Sequence, residues 1–134
     1  MKKTWLGLAA IAALAVPQAT FAADQAVSYT QAIRCAAVDT LASALYSGDD
    51  ASAEDKAMAE QYDSVTQKWI GKAGEVGSKA QDAVLADYMG EASSVADQVT
   101  SASSGEEAIG KLTGDIVTCT QLEISLFGSS PGID

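Results

Sequence analysis

Residues 78–100 read SKAQDAVLADYMGEASSVADQVT, and their spacing decides the fold class. Leu85, Tyr88, Ala92, Val95 and Val99 recur at intervals of three, four, three and four. That is the heptad seam of an amphipathic helix laying one face on a neighbour. Ser78 precedes the run and Gln81 follows it by three, the capping-box arrangement that satisfies amides left orphaned in a first turn. A helix is expected over 78–100.

Working outward, the same period returns on both sides. Ile33, Ala37, Leu41, Ala44 and Leu45 share a side of a segment from about 26 to 47, closed by Gly48 in the position that ends many helices. Met58, Tyr62, Val65 and Trp69 mark a second helix. Ser52 offers its N-cap hydroxyl, and Glu54 and Asp55 place acid at the positive end of the helix dipole. It is expected to stop near Gly71, because Gly71, Gly74 and Gly77 together weaken propagation. Ser104 and Glu107 form another capping-box pattern ahead of Ile109, Leu112, Ile116, Cys119, Leu122 and Leu126. This last helix is expected over 105–127, with Gly128 and Pro131 opening a flexible tail, 128–134. No segment shows the alternating β-branched pattern of a strand. Four amphipathic helices on short links predict an all-α, antiparallel up-down-up-down four-helix bundle.

The two cysteines of the bundle test that arrangement. Cys35 lies about 13 Å above the start of the first helix and Cys119 about 12 Å before the end of the last, at 1.5 Å per residue. In antiparallel neighbours the two sulfurs share a height. A disulfide between the first and last helices is therefore expected, closing a loop whose chain entropy is worth about 4 to 5 kcal/mol. The tie matters because 19 of the residues from 23 onward are Ala, which pack helices closely but bury little area.

The opening of the chain has a different composition. Met1-Lys2-Lys3, an apolar run from Trp5 to Val16, and small residues around Thr20-Phe21-Ala22 are the three parts of a secretory signal. Cleavage is expected after Ala22, or after the neighbouring Ala23. Residues 1–22 then form the signal peptide and 23–134 a single helical domain. The run is short of the ~20 apolar residues that span a bilayer. Cys35 lies too far in to serve as a lipid-acceptor cysteine. The expected product is soluble, without membrane insertion, in the periplasm or outside the cell, where disulfides persist.

The charge narrows the partners. The whole chain carries 8 basic and 18 acidic residues, net −10, and no His. Without Lys2 and Lys3 the balance falls to −12. Phosphate backbones and anionic lipid surfaces repel such a chain, so nucleic acid is not an expected partner. The missing His removes the usual general base and the commonest transition-metal ligand. It also rules out the Glu-x-x-His pairs of di-metal bundles and His-ligated haem. Met58 and Met89 read as core filler. Asp49, Asp50, Glu54 and Asp55 lack the alternating order of a calcium loop and suit a helix N-terminus instead. No Ser-x-x-Lys motif is present, and no G-x-S-x-G nucleophile elbow is expected where no strand is read. Neither a cofactor nor a metal is expected.

Three further residue sets are singled out. Arg34, beside Cys35, leans toward its helix N-terminus and so toward the level of Glu123, with which an ion pair is expected. Tyr62, Trp69 and Tyr88 are expected to gather where the second and third helices meet. Trp69, at the foot of the glycine-flanked link 71–77, is the candidate anchor for a partner. The leading expectation is a non-enzymatic exported protein that binds another macromolecule, a protein above all. The competing readings are a chaperone-like protein of acid or envelope stress and an enzyme or small-molecule carrier using the bundle core.

Overall fold

The computed structural model of the protein describes residues 26–133. The expected signal peptide, 1–22, lies outside them. Four helices follow one another: α1 (Tyr29–Tyr46), α2 (Ala53–Gly77), α3 (Gln81–Thr100) and α4 (Gly105–Phe127). Among the described residues no strand forms, and the single β-bridge joins Ser130 to Ile133.

Local chemistry fixes most of the helix starts. Ser28 caps α1 in a full capping box, its hydroxyl accepting from the Gln31 amide at 3.1 Å while the Gln31 side chain accepts from the Ser28 amide at 3.1 Å. That moves the start from the expected residue 26 to Tyr29. Ser52 and Asp55 make the same box for α2. At α4 only half of the expected box forms. Ser104 accepts from the Glu107 amide at 3.2 Å. The Glu107 carboxylate reaches one residue further back, to the Ser103 amide at 3.0 Å and the Ser103 hydroxyl.

Two expected boundaries are corrected by packing. Helix α2 does not stop at Gly71 but runs to Gly77. Trp69, Ile70 and Ala73 are buried on its inner face, which outweighs a cost of about 1 kcal/mol per glycine. Gly77 is itself required there, since a Cβ at that position would run into the Tyr29 ring. Ser78 is then consumed in ending α2, in the left-handed conformation with φ 48°. It cannot cap α3, which starts at Gln81 behind Ala80 with no side-chain cap.

Helix α1 is the hub. Its first residue, Tyr29, meets Gly77 at the end of α2, and its last, Tyr46, stacks on Tyr62 with ring centroids 5.9 Å apart. Tyr29 also donates to Asp87 of α3 at 2.6 Å. Further along, Ala37 packs with Val95 of α3 and Leu112 of α4. Cys35 and Cys119 are joined in a disulfide, with Cα atoms 5.4 Å apart. A larger core cluster gathers Val27, Ile33, Val65, Trp69, Ile70, Val84 and Leu122 around that bond.

The α3 seam is not quite the expected one. Val84 and Val95 are the buried residues of this helix, and Tyr88, Ala92 and Val99 are partly covered. Leu85 stands at the edge and Met89 faces solvent, contrary to its reading as core filler. The segment expected as a flexible tail folds back toward α2. Over 128–133, Ser130 and Pro131 are buried, and the Gly132 amide donates to Gln61 of α2 at 3.4 Å.

Candidate functional site

Each of the bridged cysteines is followed one helical turn later by an acid: Asp39 after Cys35 and Glu123 after Cys119. Residues four apart share a helix face, so the disulfide that draws the cysteines together also draws the carboxyls into the interior. Asp39 is 4% exposed and Glu123 1%. Acids are almost never this deeply buried without a partner.

Their surroundings differ. Glu123 is well supplied with donors: Trp69 Nε1–H at 3.1 Å and the Ser130 hydroxyl at 2.6 Å. The chain segment after α4 folds back to bring the second of these. Asp39 has less support, and its Oδ2 has no hydrogen-bond partner among the described residues. Burial first, and then the charge of Glu123 and hydrogen bonding to it, push the Asp39 carboxyl up to about 9, with the Trp69 N–H opposing weakly. Two carboxyls this close cannot both ionise in a dry interior, so near neutral pH Asp39 holds a proton. Tyr62, on the α2 side, is raised as well, by burial and then by Tyr46, Asp39 and Glu123.

In front of the acids is a cavity of about 90 Å³, walled by Val38, Leu41, Leu112, Ile116 and Tyr62, with Thr120 beside Glu123. It continues into a groove of about 260 Å³ formed by Leu41, Leu45, Val99, Ile109, Leu112 and Ile116. The two spaces share Leu41, Leu45, Leu112 and Ile116. These residues belong to the apolar stripes of α1, α3 and α4; Leu112 is buried at the base, while Leu45, Ile109 and Ile116 are left uncovered. Leu45 is 75% exposed and Ile109 67%. Apolar side chains in a continuous stripe, left open to water next to a buried polar group, are the marks of a binding surface.

The residues singled out from the sequence fall in different places. Tyr62 lines the cavity and stacks on Tyr46. Trp69 is fully buried, its ring edge-on to Phe127 at 4.9 Å, so it is not a surface anchor. Its burial removes ~200 Å² from water, worth about 5 kcal/mol, and its N–H orients Glu123. Tyr88 is half-buried, sharing a 2.6 Å hydrogen bond with the Thr40 hydroxyl. Arg34 is not paired with Glu123. It reaches Glu91 at 2.7 Å, Asp115 at 2.7 Å and Gln98 at 2.9 Å, clasping α3 and α4 to α1. The physical reason is solvation. The guanidinium keeps its head at the partly wet rim, where Glu91 and Asp115 are about one third exposed, rather than entering the dry interior around Glu123.

The acid pair was missed because reading periodicity counts apolar positions and passes over charged ones. The repeated C-x-x-x-[DE] spacing at 35–39 and 119–123 was the available signal. Among the described residues no group of three or more His, Cys, Asp or Glu is placed to hold a metal ion. No described helix is long and apolar enough to cross a membrane. No protein-family model matches the chain, and no curated protein and no solved structure matches it significantly.

Proposed function

We propose that the chain is exported and acts outside the cytoplasm as a non-catalytic binding protein, gripping a basic, apolar segment of a partner protein in the groove between α1 and α4. The observation that carries this reading is the uncovered stripe of Leu45, Ile109 and Ile116 running into the cavity above Asp39 and Glu123. Export is supported by the signal-like residues 1–22 and by the Cys35–Cys119 disulfide, a bond that lasts in oxidising compartments. A protein segment suits the groove better than a drug-sized ligand. The enclosed part, about 90 Å³, is well below the ~300 Å³ at which small-molecule pockets begin. The basic character follows from the net charge of −10 and from Glu106 and Glu107 at the mouth end of α4, which steer cationic partners.

The same reading takes the helices to alternate up and down. Contacts support it: α1 meets the far end of α2 through Tyr29 and Gly77, and Leu45 shares a groove with Ile109 near the start of α4. Such an order leaves the chain's four apolar stripes converging, with the opening at one end.

The test is titration with a designed basic amphipathic peptide of leucine and lysine, read by the fluorescence of a probe on the peptide. The double variant Leu45→Asp/Ile109→Asp adds negative charge, so non-specific attraction to the peptide would rise. A groove mode of binding predicts the opposite, a loss of about tenfold or more. Unchanged or tighter binding by the variant would refute the groove.

A further inference from the structure

Resting on the groove reading above, we propose that the cavity beneath the groove is a receptor for one primary ammonium group, the end of a lysine side chain on the docked partner, held between Asp39 and Glu123. The starting observation is an unmet acceptor. Asp39 Oδ2 is buried and has no partner among the described residues, and a polar atom left so costs free energy that folding alone does not recover. The atom belongs to a side chain that lines the cavity rather than one sealed in packed core. Oδ2 itself is shielded from water, so a ligand entering from the groove meets it by a turn of the Asp39 carboxyl toward the cavity.

The cavity's composition selects the ligand. Its walls are the apolar side chains of Val38, Leu41, Leu112 and Ile116, and its floor is acidic. A lysine side chain has the same order, an unbranched apolar stem ending in a charged head with three donors. Its stem would lie along the walls while its head takes the place of the proton that Asp39 holds near neutral pH, donating to Asp39 Oδ2 and to Glu123 as that proton leaves to solvent. A guanidinium is a poorer match, because its flat fork carries five donors and the floor offers fewer free acceptors. The volume of about 90 Å³ suits one slender chain and excludes a bulky or aromatic amine. Tyr62 from α2 and Glu123 from α4 are the titratable groups facing Asp39, so no cation of the protein competes for the place.

The experiment uses n-butylammonium, the lysine side chain without its backbone, and n-butanol, an uncharged chain of the same length. Each is titrated into the purified protein and followed by the methyl resonances of Leu41, Leu112 and Ile116. Saturable shifts are expected with n-butylammonium, and binding weaker by about tenfold or more with n-butanol. Asp39→Asn, which keeps the side-chain shape, is expected to lose about tenfold in amine affinity, and Ile109→Ser, at a residue that lines the groove but not the cavity, to retain it within about threefold. Equal binding of amine and alcohol, or an unweakened Asp39→Asn, would overturn the receptor, as would methyls that do not respond because the cavity holds only water. Peptide docking without amine binding overturns the receptor and leaves the groove. Amine binding without peptide docking overturns the lysine source and leaves a site for free amines.

Discussion

The two ends of this helical bundle are built from the same kinds of residue and finished differently. Around the disulfide, Trp69, Ile33, Ile70, Val84 and Leu122 close a core on all sides. Toward the α1 C-terminus the closed core shrinks to Ala37, Val95 and Leu112, and the stripe continues as exposed Leu45 and Ile109. An amphipathic stripe states which face of a helix avoids water. It does not state that a neighbour within the chain will cover it. Here one end closes a core and the other leaves its apolar stripe open to water, and the acid pair lies at the border between them.

Each prediction presses on that division. Replacing Cys35 and Cys119 by Ser removes a link of sequence separation 84, and a loss of about 4 to 5 kcal/mol is expected in urea unfolding. Trp69→Ala is expected to cost about 3 to 5 kcal/mol, and it leaves Glu123 short of a buried donor. If either change cost less than surface substitutions do, the closed end would not be the source of stability.

The border itself should report through pH. Asp39 is raised from 3.8 to about 9, so between those values the folded state holds a proton that the unfolded chain has released. The folded state then binds more protons, and unfolding free energy falls as pH rises from about 4 to 9, with a slope of at most about 1.4 kcal/mol per pH unit from this group. Asp39→Asn is expected to flatten the slope, as measured by denaturation midpoints at pH 5, 7 and 9. Over that window mild acid is expected to stabilise this part of the core, so a bundle that opens in acid would have to do so below about pH 4.

The smallest stability effect belongs to the open end. Leu45→Ser and Ile109→Ser are expected to change stability by no more than about 0.5 kcal/mol, while both reduce dye binding to exposed apolar surface. A large destabilisation from either would mean that the groove is part of the core.

The sequence conveyed the number of helices, the ends of α3 and α4 at Thr100 and Phe127, and the cysteine pair, because apolar period, N-cap hydroxyls and an even cysteine count act locally. It misled on α2, where the glycines at 71, 74 and 77 signal a stop by propensity but tertiary burial of Trp69 and Ala73 prevails. It misled again at Ser78, since one residue cannot both end α2 and cap α3. At the site, Leu112 and Ile116 were legible as an apolar face, but that the first is buried and the second exposed depends on the angles and spacing of neighbours that period alone does not fix. Asp39 and Glu123 were legible only through their common offset from the cysteines.

The most direct test of the open end as a docking face is photo-crosslinking in the cells that make the protein, with benzoylphenylalanine placed at Leu45 or at the exposed α2 residue Lys56. A discrete protein adduct from position 45 that is absent from position 56, and that disappears with Ile109→Asp, is the predicted result. No adduct from position 45, or equal adducts from both positions, would contradict the account.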